Sequence, residues 1–287
     1  MKQSPSSLTP PPPPSSLAPC PQDRTLRLWN PARGTHVKTY TGHGYEVRDV
    51  AVSSDSTRLA SVGGDRAVVG WDVATGAVLR KWRGHDGPAN CVVMGPNADA
   101  TIVTGGDDAS VRVWDARSRN PEPIAIIRCA RDAVTSVALA PPATILSASV
   151  DGCVRAHDVR GGTRTEDALP SPLVAIALTR DGGAVAAAGT DGVVRLLDRA
   201  TGTELARYAG APPSDVKTGV GVTADDATIV AGCADGRVRL WDLVSERVTA
   251  CLDAAPPGRP VTAVAVHPRE VGGVLAGSVD GVVRVFE

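Results

Sequence analysis

The sequence is dominated by a repeat in which an aspartate is followed six residues later by an aromatic residue or its substitute. Successive copies are spaced by 40 to 45 residues. The seven pairs are Asp23 and Trp29, Asp65 and Trp71, Asp108 and Trp114, Asp151 and His157, Asp191 and Leu197, Asp235 and Trp241, and Asp280 and Phe286. Because self-similarity at a period of roughly 20 to 50 residues is typical of repeat architectures, each unit is predicted to be one structural module.

Each module is predicted to be a small β-sheet of four strands. Short apolar or alternating runs separated by Gly, Asp and Ser turns occupy Val47 to Val52, Arg58 to Val62, Ala67 to Trp71 and Val78 to Trp82. Runs such as Ala125 to Ile127 are apolar on both faces, which a single small sheet cannot bury. The units must therefore stack on one another and close into a ring, so the predicted fold class is an all-β propeller.

Two dipeptides make the repeat specific. Gly42-His43 precedes Trp71-Asp72, and Gly84-His85 precedes Trp114-Asp115. Units of this length that contain Gly-His and end in Trp-Asp resemble the WD-repeat family, over nearly all of residues 23–287. The resemblance implies that residues 23–287 form a seven-bladed WD-repeat β-propeller.

The ends of the propeller are predicted to be irregular. Residues 1–22 are rich in Pro and Ser and are expected to form a disordered or polyproline-like tail. The first blade then keeps only its third and fourth strands, Thr25 to Trp29 and Thr35 to Tyr40, and the sequence stops on a third strand at Glu287. The favoured interpretation is seven blades with an incomplete first blade. The alternative is that Thr35 to Tyr40 pairs with the last blade and closes a six-bladed ring.

The family resemblance also implies a hydrogen-bonded tetrad inside a blade, formed by His, Ser or Thr, Asp and Trp. Two sets match it: His43, Ser61, Asp65 and Trp71, and His85, Thr104, Asp108 and Trp114. Three later units have alanine, at Ala187, Ala231 and Ala276, where the hydroxyl should stand. Those blades are expected to depend more on packing.

A narrower resemblance lies in several runs inside the repeats. The runs from Gly42 to Val47 and from Gly63 to His85, and those that begin at Trp114, Ser149 and Arg195, are similar to mitogen-activated protein kinase organizers, which are WD-repeat scaffolds. Related proteins are also implied in spliceosomal complexes of pre-mRNA splicing. The resemblance implies a non-catalytic interaction scaffold whose partners are kinase-module or spliceosomal proteins.

The partner-binding face is predicted from the loops that precede each innermost strand, because interaction residues concentrate on loops held by a rigid scaffold. The candidate residues are Tyr45, Glu46, Arg48, Asp86, Asn90, Arg131, Asp132, Lys217 and Arg259. Tyr45 is the strongest single candidate. Aromatic residues make up only 3% of the chain, and tyrosine and arginine lead the residues that dominate binding energy at interfaces.

Composition narrows the possible chemistry. The formal net charge is −1, so the chain lacks the basic field with which proteins bind nucleic acid directly. The cysteines and histidines have no metal-site spacing, and no nucleophile or phosphate-loop motif is present, so no metal, cofactor or catalytic residue is predicted. No apolar run is long enough to span a membrane. We expect a monomer within larger complexes, in the cytoplasm and the nucleus.

Two short patterns suggest other roles. Trp114, Asp115 and Arg117 fit the WDxR pattern of WD-repeat substrate receptors in cullin-based ubiquitin ligases, which is the alternative function. An arginine also stands two residues before the aromatic position in six of the seven units, namely Arg27, Arg112, Arg155, Arg195, Arg239 and Arg284. Because the position repeats in mid-strand, a structural role is favoured over phosphate binding.

Overall fold

Every regular element that the structure describes is a β-strand. The computed structural model describes residues 17–20, 23–31, 33–95, 101–118, 120–141, 143–158, 161–162, 164–268 and 272–286. Its strands form seven antiparallel sheets, each made of strands that follow one another in the sequence. The predicted all-β propeller is confirmed.

The first sheet has three strands, β1 (Leu17–Cys20), β2 (Thr25–Asn30) and β3 (Thr35–Thr41). β1 pairs with β2, so part of the segment predicted as a disordered tail is a strand. Pro19 is compatible with this pairing because β1 is an edge strand, and an edge strand needs hydrogen bonds on one side only. The proline run Pro10 to Pro14 lies outside the described residues.

The predicted alternative pairing of Thr35 to Tyr40 with the last sheet is wrong. β3 pairs with β2, with Tyr40 opposite Leu26 and Thr39 opposite Arg27. β3 is thus the outer edge strand of the first sheet, and the strands described for the last sheet all come from residues 261–286.

The next five sheets have four strands each. The second sheet contains β4 (Val47–Val52), β5 (Arg58–Gly63), β6 (Ala67–Asp72) and β7 (Val78–Arg83). The third contains β8 (Ala89–Met94), β9 (Thr101–Gly106), β10 (Ser110–Asp115) and β11 (Ala125–Arg128). The fourth contains β12 (Val134–Ala140), β13 (Thr144–Ser149), β14 (Cys153–Asp158) and β15 (Arg164–Ala168).

The fifth sheet contains β16 (Leu173–Leu178), β17 (Ala184–Gly189), β18 (Val194–Asp198) and β19 (Glu204–Tyr208). The sixth contains β20 (Val220–Val222), β21 (Thr228–Gly232), β22 (Arg237–Asp242) and β23 (Val248–Asp253). The last sheet has three strands, β24 (Val261–Val266), β25 (Val274–Ser278) and β26 (Val283–Phe286). Glu287, the predicted end of the last strand, lies outside the described residues.

Six sheets have an inner strand that packs beside the inner strand of its neighbour. These strands are β4, β8, β12, β16, β20 and β24. In the first sheet, β1 pairs with β2, the strand that carries Trp29. β1 therefore corresponds to the second strand of a four-stranded sheet, and no described residue occupies the position of the inner strand. The prediction of seven blades is therefore not confirmed. The six sheets that have an inner strand fit the alternative prediction of six blades.

The hydrophobic core lies between successive sheets. Between the second and third sheets, for example, Val68 and Trp82 pack with Val92, Ile102 and Trp114. The last sheet differs, since its outer residues Val283 and Val285 are 38% and 45% exposed. One face of that sheet is thus less protected from water than the faces of the central sheets.

Candidate protein-binding face

The loops that precede the inner strands all emerge at one end of the sheets, together with the turns between each second and third strand. This follows from the antiparallel order of every sheet. We call this end the partner face. The turns between third and fourth strands emerge at the opposite end.

A four-residue hydrogen-bonded network fixes the first of these loops. His43 Nδ1 lies 3.0 Å from Asp65 Oδ1, and His43 Nε2 lies 2.7 Å from the Ser61 hydroxyl oxygen. The Trp71 indole N–H donates to the same hydroxyl at 2.8 Å. The network connects the loop before β4 with the turn after β5, so it holds two parts of the partner face together.

The third sheet contains the same arrangement. His85 contacts Asp108 at 2.9 Å and the Thr104 hydroxyl at 2.8 Å, and the Trp114 indole N–H donates to Thr104 at 2.9 Å. Burial alone would raise the pKa of the Asp108 carboxyl, but hydrogen bonds from His85, Ser110 and a backbone N–H hold that pKa well below its usual range. Asp108 is therefore an ionised acceptor at neutral pH.

The recurrent arginines bind the turn aspartates. Each of the six is paired with the aspartate four residues before it: Arg27 with Asp23, Arg112 with Asp108, Arg155 with Asp151, Arg195 with Asp191, Arg239 with Asp235, and Arg284 with Asp280. In the second sheet Val69 stands at the arginine position, and Lys81 Nζ contacts Asp65 at 3.1 Å instead. The sheets without a complete tetrad therefore depend on an ion pair in their turn as well as on packing.

The fourth sheet has an altered tetrad that the sequence analysis missed. Cys129 takes the histidine position, and its Sγ lies 3.3 Å from Nε2 of His157, which takes the tryptophan position. Ser147 Oγ lies 3.5 Å from the same nitrogen. Desolvation by burial, with Arg164 and Arg155 nearby, lowers the pKa of His157 to about 4. His157 is thus a neutral residue of the core.

Irregularities in strand register recur at the start of the inner strands. They fall directly after the first residue of β4, β8, β12, β16 and β24, at Arg48, Asn90, Thr135, Val174 and Thr262. A bulge takes one residue out of the ladder and redirects its side chain, and bulges are common next to functional sites. In this chain two bulged residues, Arg48 and Asn90, meet Lys217 of the sixth sheet on the partner face, and we call this region the channel mouth.

Arg48 and Asn90 are the centre of a polar network at that mouth. Arg48 Nη1 donates to Asn90 Oδ1 at 2.5 Å and to Asp107 Oδ2 at 3.1 Å, and Asn90 Nδ2 donates to Asp107 Oδ1 at 2.6 Å. Arg48 Nη2 lies 3.4 Å from Glu46 Oε1. The Arg48, Glu46 and Asp107 side chains remain 33%, 39% and 40% exposed, so a partner can reach them.

Lys217 joins this network from the sixth sheet. Its Nζ donates to the Asn90 carbonyl oxygen at 2.9 Å, across 127 residues of sequence. Asp49, beside it, has a raised pKa because burial disfavours its charge, while Lys217 and the Val92 and Val50 N–H groups act in the opposite direction. The structure thus brings together four of the predicted face residues, Glu46, Arg48, Asn90 and Lys217.

Tyr45 lies next to this network on the same loop. Its side chain is 61% exposed, and the Arg24 guanidinium lies 5.8 Å from its ring centre. Asp86 is also on the partner face and contacts Arg112 at 3.2 Å. Arg131, Asp132 and Arg259 are exposed on neighbouring loops, and no hydrogen bond between described residues connects them to the network.

The residues of the alternative ligase motif lie away from this face. Trp114 is fully buried and donates to Thr104, so it cannot contact an adaptor directly. Asp115 is half-buried and accepts the Arg117 N–H at 2.8 Å. Arg117 is exposed after the third strand, at the opposite end from Tyr45.

Three residues of the channel mouth were not among the predicted site residues: Asp107, Thr135 and Val174. Asp107 precedes a turn aspartate, and the other two stand at the register position of Arg48 and Asn90 in their own units. Alignment of the seven units on the turn aspartate would have placed them near the predicted residues. The direction of the Thr135 and Val174 side chains could not be predicted from the sequence, because it depends on the bulge.

The described residues contain neither a cluster of metal ligands nor a membrane-spanning helix. In those ranges no group of three or more His, Cys, Asp and Glu side chains could hold a metal ion. Nor do they contain a helix that is long and apolar enough to cross a membrane.

Comparison with known proteins connects these features to a family. The family described as "WD domain, G-beta repeat" matches residues 34–72, 76–115, 121–158 and 203–242, which is more than half of the chain.

The chain is also similar to curated WD-repeat proteins of animals and fungi. It is 55% identical to WD repeat domain-containing protein 83 of Rattus norvegicus over 191 residues, which are 67% of this chain and 60% of that protein. Identity to the Homo sapiens protein of the same name is 51%, over 69% of this chain and 62% of that protein. An uncharacterized WD repeat-containing protein of Schizosaccharomyces pombe is 46% identical, over 66% of this chain and 63% of its own length. The match thus spans about three fifths of each of these relatives.

Proposed function

The chain belongs to the family of proteins built from WD domain, G-beta repeats. We propose that it is a non-catalytic scaffold that holds several proteins at its partner face. WD-repeat propellers generally bind other proteins. The observation that carries the proposal is the network of Glu46, Arg48, Asn90 and Lys217 at the channel mouth, with Tyr45 exposed beside it.

The chemistry of this surface suits a protein interface. Tyrosine and arginine contribute most to binding energy when they fill pockets of a partner. Hydrogen bonds to Asn90 and Asp107 hold the Arg48 guanidinium in place before a partner arrives, so little side-chain freedom is lost on binding.

We further propose that the partners are components of a kinase cascade or of the spliceosome, in the cytoplasm and the nucleus. The proposal is supported by the resemblance of the runs from Gly42 to Val47 and from Gly63 to His85 to mitogen-activated protein kinase organizers. The similarity to WD repeat domain-containing protein 83 is consistent with a scaffold of that type.

Affinity purification tests the proposal. The tagged chain is isolated from its native cell at low salt, and the bound proteins are identified by mass spectrometry beside a Tyr45→Ala, Arg48→Ala variant. We expect kinase or splicing components with the parent chain and at least about tenfold less of them with the variant, since each residue lost from a hot spot weakens binding by roughly that factor or more.

A matched control changes two residues exposed at the opposite end, Val244→Ala and Arg247→Ala. This control should keep the full set of partners. Equal loss from both variants, or no loss from either, would contradict the proposed face. Recovery of neither kinase nor splicing components would contradict the proposed partners.

A second candidate function is a substrate receptor of a cullin-based ubiquitin ligase. It is favoured by the exposure of Arg117 directly after the Trp-Asp of the third sheet. A ligase adaptor that co-purifies with the parent and the Tyr45→Ala, Arg48→Ala variant, but not with Arg117→Ala, would support this function in place of the first.

A further inference from the structure

A second feature of the partner face lies apart from the Tyr45 and Arg48 network. A cavity of about 240 Å³ opens between the fourth, fifth and sixth sheets. Its walls include Val150, Pro172, Leu173 and Val174, and Asp215 and Lys217 stand at it. All of these residues belong to the starts of inner strands, to the loops before them or to the turns beside them, so the cavity opens on the partner face.

The cavity has an apolar floor and an accessible rim. Leu173 and Val174 are 1% and 6% exposed, whereas Val150 is 37% exposed. Val174 stands at the bulge of β16, the position that Arg48 and Asn90 hold in their strands. The volume is below the roughly 300 to 1,000 Å³ that is usual for small-molecule sites, and it is suited to one long side chain.

The two charged groups at the cavity differ in their partners. The Asp215 carboxylate is exposed, and among the described residues it has no hydrogen-bond or ion-pair partner. The Lys217 ammonium, at the same cavity, donates instead to the Asn90 carbonyl oxygen and lies near Asp49. The cavity therefore offers apolar walls together with one carboxylate that no described side chain contacts.

We propose that this cavity is a docking site for one basic side chain, arginine or lysine, of a partner protein, with its aliphatic stem against Val150 and Val174 and its cationic end at Asp215. Arginine and lysine are the side chains that combine a long apolar stem with a positive end. An acidic side chain would meet Asp215 as a like charge, and a purely aliphatic one would leave that carboxylate without a partner. The proposal deepens the proposed function, because it rests on the partner face being an interface.

A peptide selection with the full chain tests the site directly. Random dodecapeptides displayed on phage are selected on the parent chain, and the enriched peptides are resynthesised. We expect a basic residue at a fixed position in them. Replacement of that residue by citrulline, the neutral analogue of arginine, or by norleucine should weaken binding by about tenfold, as should Asp215→Asn in the chain.

The control variant is Asp253→Asn, at an aspartate of β23 whose side chain is 80% exposed. It should bind the peptides as the parent does. Methyl NMR signals of Val150 and Val174 should move when a peptide is added, and at the same sub-saturating peptide concentration they should move less in Asp215→Asn. Because Asp215 makes no described contact, its variant should melt at the parent temperature.

Other outcomes of the peptide selection separate failure of the cavity site from failure of the scaffold function. Enriched peptides without a basic residue, or binding that is unchanged by Asp215→Asn, would overturn the proposed site. Peptides that bind but are lost only in Tyr45→Ala, Arg48→Ala would also overturn it, while leaving the scaffold function intact. Failure of the scaffold function would appear instead as absence of co-purified proteins.

Discussion

The tetrad of the second sheet depends on the hydroxyl of Ser61. It is fully buried, it accepts the Trp71 indole N–H at 2.8 Å, and it lies 2.7 Å from His43 Nε2. Removal of the oxygen leaves two buried polar groups without their partner. A lost partner of this kind is more costly than the mean value of a hydrogen bond, because the remaining groups stay desolvated.

We therefore predict that Ser61→Ala lowers the free energy of unfolding by about 1 to 3 kcal/mol, measured by urea denaturation. The matched control is Ala187→Ser, at the corresponding position of the fifth sheet, where a new hydroxyl meets no tetrad histidine or tryptophan. That variant should give no gain in stability. An unchanged unfolding curve for Ser61→Ala would show that the tetrad does not stabilise the sheet.

The pKa of His157 predicts a pH dependence of stability. Burial lowers this pKa in the folded chain from 6.5 to about 4. Between these values the unfolded chain binds a proton that the folded chain does not, so the free energy of unfolding decreases as the pH falls from 6.5 towards 4. The slope contributed by one histidine is at most about 1.4 kcal/mol per pH unit.

The measurement is a series of urea unfolding curves between these pH values for the parent and His157→Gln. The difference in unfolding free energy between the two should shrink or reverse as the pH falls. Parallel pH profiles would mean that His157 does not carry the effect.

Individual tetrad partners could be predicted because the family resemblance implies the tetrad, and Ser61 and Thr104 stand at the same distance before their turn aspartates. Cys129 could not be predicted as a tetrad residue, because no known sequence pattern places a cysteine at the histidine position. Its role is evident only from its contact with His157. The partner of each recurrent arginine was also missed. The position of Arg155 in mid-strand was evident, whereas the distance from its guanidinium to Asp151 depends on the tightness of the turn.

At the scale of the strand and its turn, the buried ion pair is the most consequential contact. The side chains of Arg155 and Asp151 are 1% and 8% exposed, and the Arg155 guanidinium also contacts Glu166 at 2.9 Å. Removal of one partner of a buried pair leaves an uncompensated charge. Burial raises the pKa of Asp151, yet the Arg155 and Arg131 contacts bring it down to about 2, so the carboxylate stays charged.

Arg155→Met is accordingly predicted to destabilise the chain by roughly 3 kcal/mol, as judged by its denaturation midpoint. Arg207→Met is the comparison, because Arg207 forms an ion pair with Glu204 on an outer strand and is 58% exposed. Its loss should shift the denaturation midpoint far less, because an exposed ion pair contributes little to stability. Equal effects of the two variants would refute the distinction between buried and exposed pairs.

The strands themselves were predictable, since their alternation and turn residues are local properties of the sequence. The four runs expected around Trp71 correspond to β4 to β7. The bulges at Arg48 and Asn90 were not predictable, because an extra residue in one strand is defined only against its partner strand. The direction of the side chains at the channel mouth depends on those bulges, so the sequence indicated loops at this end of the sheets but not Asp107, Thr135 and Val174.

At the scale of the whole molecule, the sheets differ in how well their neighbours protect them. β17 in the fifth sheet is almost entirely buried, whereas Val283 and Val285 of β26 are exposed. In repeat proteins each unit is stabilised mainly by the units beside it, so a sheet with one less protected face opens more readily.

Amide hydrogen exchange should show this gradient. We predict lower protection for β24 to β26 than for β16 to β18, with exchange in the last sheet through local opening rather than global unfolding. Uniform protection across the seven sheets would indicate one cooperative unit. Neither the difference between sheets nor the number of complete blades could be predicted from the repeat, since seven copies of one unit give no information on which faces are covered.

The contact between Lys217 and Asn90 has a consequence for the order of events during synthesis. Each sheet pairs strands that are neighbours in the sequence and can form as the polypeptide leaves the ribosome, but this contact must wait for 127 further residues. At elongation rates of about 5 to 20 residues per second, the delay is roughly 6 to 25 seconds. A partner that recognises the channel mouth with Lys217 in place therefore does not bind a nascent polypeptide that still lacks the sixth sheet.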